Sequence, residues 1–334
     1  MTSNFIKICT AALAGSIIGI VYERLGHVPD LPSAIKTVSA DGSLLPRFGK
    51  NSDGIAVPRK SLPQVDPVIS TENLKHSAKF GLPSKDNLRI FNDFVISYDR
   101  RLRSPVWVIE HLTPQKLKNK KGNRDKSSFE EDPILHEFFR AKLEDFKNSG
   151  YDRGHMAAAG NHKNSQDDLD QTFSLSNISP QVPEFNRGGW EKLERYVRFR
   201  ASAAKNLYVV TGPLYLPTKA RDGNLYVTYR VLGNNHISVP THYFKVFLVE
   251  TEGDKLSIEA FLMPNDKKLD GKINLDDYRL PIERLDVIER ASGSIFFDQV
   301  PRNNVDAPRR LLAGFKDESD RSPNKGKGKG KPAG

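Results

Sequence analysis

The sequence predicts an α+β domain: a mixed, mostly antiparallel sheet flanked by helices. Two observations carry this. Segments rich in β-branched and aromatic residues recur through the middle of the chain, and few helical patterns separate them, which argues against repeated βαβ units. The first two segments, RIFNDFVISY (89–98) and SPVWVIEHLT (104–113), are joined only by the charged turn DRRLR, the spacing of a hairpin.

Further strands are expected at 206–213 (NLYVVTGP), 224–232 (NLYVTYRVL), 239–250 (VPTHYFKVFLVE) and 256–263 (LSIEAFLM). Between the hairpin and these strands, Trp190, Leu193 and Val197 recur at i, i+3 and i+7, the buried stripe of a helix over 187–205. Residues 276–291 read as a helical segment interrupted by Pro281. Residues 117–148 are highly charged, and 134–146 suits either a short helix or a loop.

The ends differ from the middle. Residues 1–26 hold an apolar run from Ile8 to Tyr22, shorter than the roughly 20 residues of a membrane span, so a cleaved organelle presequence, a secretory leader and a short inner-membrane anchor compete. Residues 27–83, with Pro, Ser, Gly and charge lacking a period, read as a linker or arm of the kind that crosses to a partner subunit. The core is expected over 84–301. Residues 302–334 form a basic tail, expected to be disordered because KDESDRSPNKGKGKGKPAG cannot build a core.

The formal charge is +10, and removing the four lysines of KGKGKGK still leaves +6, a balance suited to nucleic acid or an anionic membrane surface. Cys9 is the only cysteine, so the core has no disulfide and no thiolate metal site. Any metal must be held by oxygen or imidazole, which favours hard-cation chemistry.

The chemistry concentrates between Tyr151 and Glu194. In Asp152-Arg153-Gly154-His155, the imidazole has the one unperturbed side-chain pKa near neutrality and is the candidate general base. Arg153 offers a planar fork to phosphate, and Gly154 permits close approach. Asp152 either orients a neighbouring group or caps a turn. Asn186 stands where the helix begins, as a metal ligand or a plain N-cap. Glu194, eight residues on, is about 80° around an ideal helix and leans back toward that end. Asn177 and Gln181 flank Ser-Pro after an apolar run, a strand end and turn. Asp167, Asp168 and Asp170 read as the solvated face of a short helix capped by Ser165, and His162 lacks the further ligands a zinc site needs.

These motifs resemble the DNA/RNA non-specific endonuclease family, in its mitochondrial endonuclease G branch. D-R-G-H, L-S-N-x-x-P-Q and N-x-x-x-W-x-x-L-E occur in order at close spacing, followed by V-P-T-H-Y-F-K-V and L-M-P-N. The resemblance covers roughly 80–301. It implies a ββα-metal site in an α+β domain, a homodimer, and DNA and RNA as substrates. It implies one Mg²⁺, with Mn²⁺ substituting, held through Asn186 with Glu194 on metal-bound water, and Asn177 and Gln181 supporting the base and metal region. Arg153, His155 and Glu194 are the catalytic candidates, with Asp152 beside them. His111 occupies a position where relatives carry a strand residue near phosphate, and its role is left open. Import to the mitochondrial intermembrane space, relocation to the nucleus and a part in apoptotic DNA fragmentation are likewise implied. The alternatives are a secreted nuclease, an exonuclease-like mitochondrial relative, which carries a C-terminal helical extension not expected here, and a catalytically idle nucleic-acid binder.

Overall fold

Strands with apolar residues on both faces need cover on both, and this requirement organises the computed structural model, which describes residues 75–84, 86–306 and 315. The expected targeting segment, the arm up to residue 74 and residues 307–314 and 316–334 of the tail lie outside the described residues, whereas residues 302–306, expected to be part of that disordered tail, form a 3-10 turn and a short strand paired with the sheet. Apart from four two-residue strands between 218 and 238, the strands are β1 (Leu88–Ile90), β2 (Phe94–Asp99), β3 (Ser104–Leu112), β4 (Asp152–His155), β5 (Ile178–Gln181), β6 (Asn206–Leu214), β7 (His242–Glu250), β8 (Leu256–Pro264), β9 (Arg279–Leu280) and β10 (Val305–Asp306). The main sheet has eight strands in the order β1-β2-β3-β6-β7-β8-β9, with β10 also on β8. Every neighbouring pair is antiparallel except β8–β10, so the sheet is mixed and mostly antiparallel, as expected.

One face packs beneath helix α2 (Glu191–Ser202), preceded in the chain by the short helix α1 (Gln166–Gln171). Phe94, Ile96, Val108, Val209, Phe247 and Phe261 meet Trp190, Leu193, Tyr196 and Val197 there, the expected stripe among them. The other face, with Val95, Trp107, Ile109, Val210, Phe244 and Leu248, lies under Leu285 and Ile288 of helix α3 (Leu285–Ser292) and under Phe296 and Phe297. Phe80 and Leu82, read from sequence as part of the arm, pack on this second cluster. Trp190 is 1% exposed, and truncating such an aromatic to alanine costs about 3–5 kcal/mol.

The sequence reading departs from the structure where polar residues turn the chain. RIFNDFVISY is two strands, because Phe91–Asp93 form a tight turn and β1 folds back on β2 with Leu88 opposite Ser97. The DRRLR turn holds as expected: Asp99 Oδ1 accepts from the backbone N–H of Arg101 and Leu102, and Arg103 takes φ 53°. Over 224–232 only Leu225–Tyr226 and Val231–Leu232 are strand, since Leu225 and its neighbours find no face to bury against. The segment 276–291 breaks at Pro281 into a 3-10 turn, β9, a second 3-10 turn and α3. Within 134–146 there are a 3-10 turn at Glu137–Phe139 and a single helical turn at Leu143–Phe146.

Charges stand inside this apolar frame. On the face beneath α2, period-two alternation aligns Glu110 of β3, Thr211 of β6, Lys245 of β7 and Glu259 of β8, all at most 1% exposed. Glu259 is satisfied by Arg200, Arg279 and Tyr196. Glu110 and Lys245 lie under the functional cleft.

Candidate active site

Strands β4 and β5 form their own antiparallel ladder, pairing Asp152 with Gln181 and His155 with Ile178. The chain then enters helix at Pro183 and continues through a π-turn, Asn186–Trp190, into α2. Two strands and a helix thus come together. Asn186 has helical φ and ψ of −57° and −47°, and its N–H donates to Val182 O. It is therefore inside the helix, not its N-cap. Gly188 and Gly189 let the π-turn press against the backbone of Leu269–Gly271, where a Cβ at Gly188 would overlap main-chain atoms. The π-turn also corrects the angular reading. One inserted residue makes the eight steps from Asn186 to Glu194 equivalent to about seven helical ones, which brings the offset from about 80° to roughly 20°. The two side chains share a helix face.

Asn186 and Glu194 line a cleft of about 400 Å³ together with Arg153, His155, Arg124, Lys163, Arg187, Glu191 and Arg198. His155 packs against Phe129 and, edge-on, against Phe173, with ring centroids at 5.4 and 4.8 Å. Arg153 lies 4.4 Å over the Phe129 ring and Arg124 5.7 Å over that of Phe173. Burial, then the charges of Arg124 and Arg153, push His155 down to about 3. It is a neutral imidazole at physiological pH, and its Nε2 has no hydrogen-bond partner.

Asp152 does not touch that imidazole. Its Oδ2 accepts from Asn186 Nδ2 at 2.9 Å, and both of its oxygens accept from Arg187, at 2.8 and 2.7 Å. Of the two readings left open for Asp152, orientation of a neighbour fits this geometry. With Nδ2 committed, the amide oxygen of Asn186 is the atom left for a ligand. Burial raises the Glu194 carboxyl, and Lys245 and Arg198 oppose that rise. Lys245 is itself pushed down by burial; its Nζ donates to Thr211 Oγ1 at 2.8 Å and lies 4.6 Å over the Trp190 ring.

Asn177 and Gln181 are both fully buried behind the cleft. Asn177 clamps Ala157, accepting from its N–H at 2.9 Å and donating to its carbonyl at 3.0 Å, which fixes the chain just beyond His155. Gln181 packs against Gly154, where any side chain would overlap it, and neither amide atom has a partner. His111 is turned to the opposite sheet face, bonded to Asn206 and stacked between His76 and Tyr208. It does not reach the cleft.

Among the described residues there is no group of three or more His, Cys, Asp or Glu side chains able to hold a metal. Asn186 and Glu194 offer an amide oxygen and a carboxylate to the cleft, and Glu191, the other carboxylate lining it, is paired with Arg195 at 2.7 Å. The Asn186 and Glu194 oxygens are hard donors, and a sparse set of this kind fits a cation that keeps most of its waters, as Mg²⁺ does.

Sequence reasoning missed Arg124, Lys163 and Arg198. Arg198 was findable, since it lies one turn after Glu194 on the same face. Arg124 and Lys163 sit in charged loops that only the fold brings together. The charges inside the strand runs VWVIEHL and YFKVFLV also marked Glu110 and Lys245 as unusual.

A ββα unit presenting a neutral histidine, an amide and a carboxylate to a basic cleft defines the ββα-metal class of nucleases. A profile of the DNA/RNA non-specific endonuclease family matches residues 73–303, and the chain belongs to that family, in its endonuclease G branch. It is 44% identical over 223 residues to the mitochondrial endonuclease G of Homo sapiens, covering 67% of this chain and 73% of that protein. It is 35% identical over 311 residues to the mitochondrial nuclease 1 of Schizosaccharomyces pombe, covering 91% of each. A crystal structure of an EndoG/EndoGI inhibitor complex superposes with a TM-score of 0.67 at 45% identity, covering 70% of this chain and 94% of that one. The chain is a nuclease, a hydrolase of nucleic acid.

Proposed function

We propose that the chain cleaves DNA and RNA internally without sugar or sequence selectivity, with His155 as general base and one Mg²⁺ held through Asn186, Glu194 acting on the water around it. The observation that carries this is a buried, neutral imidazole facing the same cleft as Asn186 and Glu194. Arg124, Arg153, Lys163 and Arg198 seat the scissile phosphate and meet the negative charge that grows on its oxygens. His155 accepts a proton from the attacking water. Held neutral by burial and by two arginines, it is ready for that step, and phosphate binding between the arginines relieves the opposing charge and raises its basicity. When bound, the cation supplies Lewis-acid stabilisation of the leaving alkoxide. Asp152 keeps the Asn186 amide oriented, and Asn177 and Gln181 hold the strands behind it.

The phosphate-directed cleft explains the absence of selectivity, because contacts to phosphate carry no base code. Mitochondrial relatives support a mitochondrial location. Within that reading we place the protein in the intermembrane space as a homodimer, with a role in apoptotic DNA fragmentation after release to the nucleus. The deciding experiment digests supercoiled plasmid and single-stranded RNA with Mg²⁺, Mn²⁺ or EDTA in parallel. Both polymers should be cut with either cation and neither with chelator. Cutting in EDTA, or confined to one sugar, would overturn the reading.

A further inference from the structure

One rim of the cleft continues into a run of positive charge of which the chemistry above uses only Arg124. Residues 116–126 read KLKNKKGNRDK, six basic residues against one acid. Lys116 is committed to Asp93 at 2.9 Å. Lys118, Lys120, Lys121 and Lys126 are exposed and carry no ion pair among the described residues. The run is not a free surface loop. The N–H groups of Lys121 and Gly122 donate to Lys163 O at 2.9 and 3.1 Å, and Lys163 lines the cleft. Asn123 exchanges two bonds with the side chain of Gln166 at the start of α1, and its own side chain accepts from the N–H of Asp125. At Gly122 a Cβ would stand 2.8 Å from Ser165 O, so the glycine is what lets the strip lie this close. Arg124, within the strip, faces the cleft. Fixing several lysines in one place with no counter-charge is electrostatically costly until a polyanion lies along them. Beyond Arg187, which the cleft shares with a neighbouring depression, the surface is of mixed sign, with Glu184 and Asp270.

We propose that Lys118, Lys120, Lys121 and Lys126 form a rail for backbone phosphates that flank the scissile one, running off one side of the cleft beyond Arg124, so that this nuclease favours long polynucleotides over short ones. The proposal rests on the nuclease reading. The partner is nucleic acid; the charge pattern carries no preference between DNA and RNA.

The test is the triple variant K118E/K120E/K121E, none of whose residues lines the cleft, against the full-length protein. Binding to a 30-base-pair duplex and to a dinucleotide is measured in EDTA across a salt series, and turnover of plasmid and of thymidine 5′-(4-nitrophenyl phosphate) is measured with Mg²⁺. Duplex binding should weaken by about tenfold or more, and its log–log salt slope should fall by about 2–3, the loss of three phosphate contacts. Plasmid kcat/KM should fall with it, while dinucleotide binding and small-substrate turnover stay within about twofold. An unchanged duplex slope, or equal losses on long and short substrates, would sink the rail. So would unchanged duplex binding with loss of binding to phosphatidylserine vesicles, which would assign the strip to a membrane. If wild type binds duplex but cleaves nothing, the nuclease reading fails while the binding arm still decides the rail.

Discussion

His155 and His162 stand seven residues apart, both buried, and their surroundings drive them in opposite directions. Burial disfavours the charged form of each. At His155 the neighbouring charges are Arg124 and Arg153, which add to burial and bring it to about 3. At His162 Glu110 Oε1 lies 2.9 Å from Nε2 and Asp93 Oδ2 lies 3.7 Å from Nδ1, and these carboxylates override burial and raise it to about 9. One imidazole is therefore kept neutral, as the proposed base requires, and the other is kept cationic between two carboxylates. Asp93 connects onward to Lys116, and Glu110 to Asn161, which accepts from Arg198 of the cleft. Residue type says nothing of this division; the sign of the neighbours decides it.

The comparison breaks most sharply at His155. Replacing it by alanine should lower kcat by about 10²–10⁴-fold with duplex affinity nearly unchanged, because the lost term is proton transfer in the transition state. In the wild-type protein the acid limb of kcat/KM should lie well below the ordinary histidine value of 6.5, and that of kcat should lie higher, since bound phosphate offsets the two arginines. Plasmid cleavage rates from pH 4 to 8 check both statements. A kcat/KM limb at 6.5 would mean that the imidazole is not held neutral as described.

At His162 the expected loss is in folding. His162→Leu leaves Asp93 and Glu110 buried without their shared cation, a defect of about 3–5 kcal/mol in urea unfolding. The pH dependence separates the two rings. The folded pKa of His162 is above its unfolded value of 6.5, so its stabilisation, on the order of 3 kcal/mol, is complete below 6.5 and is lost as pH rises through about 9. The folded pKa of His155 is below 6.5, so the unfolded chain binds the extra proton and stability falls as pH drops from 6.5 toward 3. These two terms together place the stability maximum near neutrality. In His162→Gln the alkaline decline between 6.5 and 9 should flatten while the acid decline remains.

Most of this frame was legible in the sequence. Long β-branched runs gave β3, β6, β7 and β8 to within a few residues, since a strand covered on both faces must be apolar throughout. Trp190, Leu193 and Val197 marked the buried side of α2. The π-turn was harder to see, because helical periodicity assumes a uniform pitch, although Gly188-Gly189 at a helix start is the residue pair such a turn needs. The role of His111 stayed open in the sequence because a strand residue's face depends on register, and β3 directs Glu110, its neighbour, beneath the cleft instead. The opposite charge states of His155 and His162 arise from burial and, Arg153 apart, from Arg124, Asp93 and Glu110, each at least 31 residues distant in sequence from the histidine it acts on.

The smallest expected effect lies at Asp152, and it sharpens the contrast from the side of the base. A carboxylate three residues before the proposed base invites the expectation that it holds the imidazole and raises its pKa, as Glu110 does for His162. Here Asp152 spends both oxygens on Arg187 and Asn186 instead, and His155 has no acidic partner. Asp152→Asn should therefore leave the acid limb of kcat/KM where it is. What it removes is the strong acceptor that fixes the Asn186 amide, and partners of this kind alter metal affinity by about 10–100-fold. Calorimetric titration of Mg²⁺ or Mn²⁺ with a non-cleavable oligonucleotide present should show weakening toward the lower end of that range, since an asparagine oxygen still accepts from Nδ2. Asp152→Ala should reach the upper end. Movement of the acid limb in either variant, with cation affinity unchanged, would place Asp152 with the base and not with the metal ligand.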